Sequence, residues 1–213
     1  MANDISQIRR DYSGQYLNAS TVGKDPIELF EKWFNEALTA GVDDANAFHL
    51  SSLGTDGYPD GRILLIKGVE DGKFVFYTNY ESKKGLDLRS TPRAAMTFYY
   101  KELDRQIRIQ GDIQVHQSEA SDEYFLSRPI KSRIGAWVSK QSKAIPSRVY
   151  LMRKFVEFSI KNKGKQVTRP PFWGGFALSP IRIEFWQGRP SRLHDRISFK
   201  LGDDGWVIER LSP

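Results

Sequence analysis

The sequence predicts a mainly β fold: an antiparallel sheet closing into a small barrel, with α-helices at its periphery. Three observations carry this. Most of the chain reads as short apolar runs separated by tight turns, among them Gly54-Thr55-Asp56-Gly57, Asp71-Gly72 and Gly202-Asp203-Asp204-Gly205. Helical patterning is confined to a leading helix, one short helix and a single block from 119 to about 163. Strand and helix therefore do not alternate, which argues against a doubly wound parallel sheet and for a small antiparallel barrel.

Taken in order, residues 1–24 read as a mobile N-terminal arm and residues 25–213 as a single domain. Asp25 caps the first helix, Pro26 fits its first turn and Glu28 completes a capping-box-like pattern. Leu29, Phe30, Trp33, Phe34, Ala37 and Leu38 share one face of it, and Gly41 ends it. Strands are expected at 47–53, 62–67, 74–78, 94–100 and 106–116, with a short helix from Ser82 to Ser90 and a bend or bulge at Gly111. Pro129 and Pro146 divide the helical block. After a polar loop at 164–171, strands are expected at 175–178, 182–187, 193–200 and 206–211.

Composition excludes several chemistries. The chain of 213 residues contains no cysteine, so it has no disulfide, no thiolate metal site and no cysteine nucleophile. Its first twenty residues lack the apolar core of a secretory signal and no later stretch is long enough to span a membrane, so a cytoplasmic location is expected. The net charge of +6 suits nucleic acid, an acidic membrane surface or small phosphorylated ligands. Basic and acidic residues are interspersed, which favours the small phosphorylated ligand; neither a nucleic-acid nor a membrane partner is expected. No Gly-x-Gly-x-x-Gly, Gly-Lys-Ser/Thr or Gly-x-Ser-x-Gly motif occurs. His49, His116 and His194 are far apart in sequence, so no metal site is expected. A bound phosphate must then be held by side chains and ordinary loop amides.

The segment from Ile183 to Arg196, with Glu184, Trp186 and then Arg192-x-His194-x-Arg196, resembles the signature of the pyridoxine/pyridoxamine 5′-phosphate oxidase family. On a strand, residues two apart share a face, so Arg192, His194 and Arg196 are expected to project together. Alone, that pattern equally fits a solvated basic strand face. Further matches follow in family order: 62–67, Tyr77-Thr78-Asn79, Ser82-Lys83-Lys84, Arg105-Gln106, 124–129 with Ser132, 134–142, and Phe172-Trp173-Gly174-Gly175-Phe176. Together they extend the resemblance from about Arg9 to the C-terminus. One departure is Lys83, where the family often has arginine; lysine keeps the charge but lacks the bidentate fork.

The resemblance implies an antiparallel split β-barrel of the FMN-binding type. Its FMN contacts map onto Arg62, Ile63, Leu64, Leu65, Ile66, Lys67, Tyr77, Thr78, Lys83, Lys84, Gln106, Gln141, Ser142, Trp186 and Arg196. Its substrate contacts map onto Arg9, Tyr12, Lys67, Tyr124, Arg128, Ser132, Arg192 and His194, the last two acting at the reacting ring. Taken singly, Lys83 and Lys84 fit an exposed helix start, Gln106 an exposed strand position and Trp186 a core position. The implied reaction oxidises pyridoxine or pyridoxamine 5′-phosphate to pyridoxal 5′-phosphate by hydride transfer to FMN, with O2 reduced to H2O2. A homodimer with FMN at its interface is also implied. Competing readings are a flavin barrel with another substrate, a non-catalytic pyridoxal-phosphate-binding protein and a nucleic-acid-binding barrel.

Overall fold

The computed structural model describes residues 6, 10–116 and 118–213. Eight strands, β1 (Ala47–Leu53), β2 (Pro59–Glu70), β3 (Lys73–Asn79), β4 (Arg93–Tyr100), β5 (Arg105–Val115), β6 (Trp173–Gln187), β7 (Asp195–Gly202) and β8 (Gly205–Leu211), form one sheet in the order β3-β2-β1-β4-β5-β6-β7-β8. An antiparallel pairing of β3 with β6 closes the first six into a barrel. The helices are α1 (Pro26–Thr39), α2 (Lys83–Ser90), α3 (Ser118–Ser127), α4 (Ile130–Val138) and α5 (Arg148–Lys161). The mainly β barrel with separate helices is the architecture expected from the sequence.

The chain divides into two compact units. Unit 1 comprises Met1–His49, Ala95–Gln110 and Pro180–Pro213, and unit 2 comprises Leu50–Ala94 and Gly111–Ser179.

In unit 1, Asp25 accepts from the Ile27 amide at 2.7 Å and starts α1. The α1 face predicted from spacing is buried at Leu29, Phe30, Trp33 and Ala37, whereas Leu38 is exposed. Phe30 meets Phe98 edge-on, and Trp33 meets Phe185 in the same way. Truncating a ring buried like Phe98 or Phe185 to alanine costs about 3–5 kcal/mol. The chain from Arg10 to Leu17, read from the sequence as part of a mobile arm, is fastened at both ends. Arg10 pairs with Asp104, whose other oxygen accepts from the Ser13 amide at 3.1 Å. The Leu17 amide donates to Asp195 at 3.1 Å, and Arg210 donates to the Leu17 carbonyl at 2.8 Å.

In unit 2, β3 is buried at Phe74, Val75 and Phe76. It pairs with β6 in a register that sets Tyr77 against Gly175 and Thr78 against Gly174. Both glycines are required by close approach: a Cβ on Gly174 would lie 2.2 Å from the Tyr80 hydroxyl, and one on Gly175 would lie 2.9 Å from the His116 Cβ. Gly111, where a bend or bulge was expected, lies within the continuous strand β5 and is required by close approach, since a Cβ there would sit 2.1 Å from the Ser179 carbonyl oxygen. Pro129 and Pro146 separate α3, α4 and α5 as the sequence indicates.

Two expectations are corrected. The strands expected at 175–178 and 182–187 are one strand, β6, because Pro180 falls between the ladder to β3, ending at Leu178, and the ladder to β7, beginning at Arg182. The strand expected from 193 begins at Asp195 instead. Pro190–Arg192 is a single tight helical turn with Ser191 and Arg192 at positive φ (55° and 60°). Arg192, His194 and Arg196 therefore do not alternate along one strand face; only Arg196 lies in β7.

Candidate active site: two clusters of expected ligand residues

The expected residues gather in two places, one in each unit. In unit 2 they border a cavity of about 540 Å³. Ile63, Leu64, Leu65 and Lys67 reach it from β2, and Tyr77 and Thr78 from β3. Tyr124, Arg128, Ser132 and Gln141 supply the helical side. Ile66 does not line it; period-two alternation turns that side chain into the core. Ser142, exposed in the loop after α4 at φ 68°, does not line it either.

One wall is aromatic. The Tyr77 ring stacks on Tyr124 at 4.3 Å and on Trp173 at 5.5 Å. Lys67 lies over the Tyr124 ring and Arg128 over Trp173, at 5.7 and 4.7 Å. Burial, then the Glu70 carboxylate, pushes the Tyr77 phenol up to about 12, so it stays protonated at neutral pH. Arg128 directly follows α3, as Pro129 leads one to expect. Its Nη1 is buried without a partner, and burial lowers its pKa. Trp173 was quoted in a motif without a role; an aromatic residue just before two close-packed glycines was the available signal.

Beside this wall is a second cationic group. Lys84, on α2, is buried, and among the described residues its ammonium bonds to the Thr78 and Ser82 hydroxyls and Gln141 Oε1, at 3.3–3.4 Å. Burial, followed by the neighbouring Arg62 charge, lowers its pKa. Arg62 donates to Ser52 Oγ at 2.7 Å and pairs with Asp60 at 2.6 Å. Lys83 is exposed and already engaged, pairing with Asp87 at 3.1 Å and Asp60 at 3.3 Å. A buried cation without a carboxylate partner is costly unless an anion joins it. Among the described residues Lys84 meets that description and Arg128 does so at its buried Nη1, so this donor set fits two phosphate groups.

Unit 1 holds Tyr12, Gln106, Trp186, Arg192, His194 and Arg196; Arg9 lies outside the described residues. The rings of Tyr12, Trp186 and His194 contact one another, with centroids 4.7–5.5 Å apart. Gly188 makes room for Tyr12, since a Cβ there would lie 2.6 Å from that ring. His194 Nδ1 accepts from the Arg189 amide at 3.1 Å. Burial, then the Arg192 charge, lowers its pKa, so the ring is neutral with its proton on Nε2. Arg192 borders a second cavity with Arg10, Tyr12 and Arg189. Arg196 is held by Glu184 at 2.9 Å and by the Ser212 carbonyl at 2.8 Å. Gln106 is half-buried near the start of β5.

Comparison with known proteins decides the family. Residues 34–162 match the family profile described as pyridoxamine 5′-phosphate oxidase. The chain belongs to the pyridoxine/pyridoxamine 5′-phosphate oxidase family. Residues 173–213 match that family's C-terminal dimerisation region. The pyridoxine/pyridoxamine 5′-phosphate oxidase of Cupriavidus taiwanensis is 47% identical over 210 residues, covering 98% of this chain and 99% of the relative. That of Bacteroides thetaiotaomicron is 47% identical over 211 residues, covering 99% of each. Among solved structures, PhzG from Burkholderia lata, in complex with tetrahydrophenazine-1-carboxylic acid, superposes with a TM-score of 0.88 at 27% identity, covering 94% of this chain and 100% of that one. A pyridoxamine 5′-phosphate oxidase-related, FMN-binding protein from Nostoc punctiforme shares the fold at TM-score 0.71 and 18% identity, covering 86% of this chain and 97% of that one. The family, the split-barrel fold and FMN as cofactor stand as the sequence resemblance implied. Among the described residues no helix is long and apolar enough to cross a membrane.

Proposed function

We propose that this chain makes pyridoxal 5′-phosphate by oxidising pyridoxine or pyridoxamine 5′-phosphate, with FMN as the acceptor. One observation carries the reading: beside a cavity with an aromatic wall, Lys84 is buried and Arg128 is half-buried with its Nη1 buried and unpartnered, and neither has a carboxylate partner among the described residues. Two anionic groups and a flat ring are what FMN and a phosphorylated pyridine would bring.

In this reading Lys84, Arg62 and Gln141 hold the FMN phosphate, because cations and an amide donor suit a dianion. Lys83 acts mainly through its ion pairs with Asp60 and Asp87. Ile63, Leu64, Leu65 and Lys67 border the flavin along β2 with Tyr77 and Thr78, while Gln106, Trp186 and Arg196 meet its ring. Arg128, Tyr124, Ser132 and Lys67 hold the substrate phosphate. Arg192 packs over the pyridine ring. His194, with Nδ1 occupied by the Arg189 amide, donates from Nε2 to a ring substituent beside the reacting carbon. Tyr12, with Arg9, covers the substrate and excludes water.

Held by these residues, FMN would supply a two-electron acceptor for the hydride lost from the substrate's C4′, with O2 as the final oxidant and H2O2 as its product. The chain's own residues chiefly align and enclose the substrate, and alignment is a large share of the barrier reduction. The functional unit in this reading is a homodimer with FMN at its interface, each site drawing on both protomers. The match to a dimerisation region and the division of the ligand residues between two clusters support it.

The test is the visible spectrum of the purified protein when pyridoxine 5′-phosphate is added without oxygen. Bleaching of the flavin band, reversed by air, is expected. A flavin band that stays unbleached with pyridoxine and pyridoxamine phosphates alike would show that the substrate is a different one.

A further inference from the structure

Glu184 is a buried acid for which the mechanism above has no use. It lies in β6, 4% exposed, and three guanidinium groups converge on it. Arg196 Nε donates to Oε1 at 2.9 Å. Arg108 Nη1 approaches Oε2 at 3.5 Å and Arg182 Nη2 approaches the same oxygen at 3.8 Å. Arg196 is fixed a second time by its Nη1 on the Ser212 carbonyl. Its Nη2 is thereby left with no protein partner among the described residues, in a fixed orientation.

Side-chain entropy explains why such an arrangement matters. An arginine that reaches a ligand from a strand must give up several rotamers, and a guanidinium already clamped by Nε and Nη1 has given them up before the ligand arrives. The flanking positions keep the clamp in register, since Trp186 pairs with Arg196 and Glu184 with Ser198 across the same ladder. Arg182 also donates to Ser198 Oγ at 3.2 Å, which ties that neighbour into the same group.

We propose that Glu184 is a positioning residue for FMN: it holds Arg196 by Nε so that Nη2 faces the flavin, and its negative charge offsets part of the positive charge presented there. This rests on the reading of Arg196 as a flavin contact. Charge and position separate experimentally. Glu184→Gln keeps an oxygen for Arg196 but removes the charge. The reduced flavin carries more negative charge than the oxidised one, so the FMN midpoint potential rises. Glu184→Asp keeps the charge but withdraws it from Arg196. Losing one charge-assisted hydrogen bond should weaken FMN binding about ten-fold, read by fluorescence quenching of free FMN titrated with apoprotein.

Arg196→Gln is measured alongside, and melting curves show that each variant is folded. If both Glu184 variants keep the wild-type potential and affinity while Arg196→Gln changes them, the proposal is overturned and the flavin contact stands. If Arg196→Gln also changes nothing, the flavin contact itself is wrong and the proposal falls with it. Should Glu184→Gln fail to fold, as a buried site losing its counter-charge can, Glu184→Asp decides alone: wild-type FMN affinity overturns the proposal.

Discussion

The two clusters handle charge in opposite ways. In unit 2 the cations Lys67 and Arg128, which line the cavity, and Lys84, which bonds to Thr78 and Gln141 of its lining, have no carboxylate partner among the described residues, and the last two are partly or wholly withdrawn from water. In unit 1 most arginines are already paired: Arg10 with Asp104, Arg105 with Glu36, Arg189 and Arg210 with Asp195, and Arg196 with Glu184. Among the described residues Arg192 is an exposed exception beside His194. Unit 2 is thus arranged to attract anions, and unit 1 to hold aromatic and guanidinium groups still. In the proposed reading, binding energy and orientation come from different parts of the chain.

That contrast breaks most readily at Arg128. Arg128→Ala removes a charge-assisted contact to the substrate phosphate and should raise KM about 30–100-fold with FMN content unchanged. Steady-state kinetics check this, and an unchanged KM would remove Arg128 from the phosphate site. Lys84→Met sharpens the point in the other direction. It should weaken FMN binding about ten-fold, and it should raise the apoprotein's melting temperature by about 2–4 °C by removing a buried unpaired charge. A lower apoprotein melting temperature would show that Lys84 is structural.

In unit 1 the expected effects are smaller and geometric. Gly188→Ala pushes the Tyr12 ring aside and should raise KM by about two- to five-fold without altering FMN affinity, since the proposed role of Tyr12 is closure and not cofactor binding. The smallest effect is on pH. His194 has a folded pKa lowered from 6.5 by burial and by Arg192. Its neutral form therefore contributes fully to stability above 6.5, and that contribution declines as pH falls below, where the unfolded chain takes up the proton first. An NMR titration of the His194 ring should give a midpoint below 6.5; one at or above it contradicts the burial and charge assigned here.

Local signals were legible in the sequence because they act locally. Asp25 and Ser82 cap the helices they were expected to cap, and β1 runs from Ala47 to Leu53 as anticipated. The error at 192–196 arose because Arg-x-His-x-Arg has the period of a strand, while the left-handed turn at Ser191 and Arg192 leaves no pattern of its own. The cavity was legible only through family motifs. Nothing in the spacing of Lys84 and Arg128 says that both lack counter-ions, because that depends on which carboxylates the fold brings near. Asp60 and Asp87 engage Lys83 and leave Lys84 without one. Glu184 stood inside the recognised signature, but its three guanidinium neighbours come from β5, β6 and β7 and meet only in the folded sheet.

The central claim, that each site takes its anion-binding part from one protomer and its orienting part from the other, is tested by subunit mixing. Arg128→Ala and Arg192→Ala homodimers, each with strongly reduced turnover at low substrate, are unfolded together, refolded and reloaded with FMN. In a mixed dimer one of the two sites then contains both arginines. Activity should return to about a quarter of wild type, because about half the dimers are mixed and each has one intact site. If mixing restores nothing although mixed dimers form, both arginines act from the same protomer and the shared site is wrong.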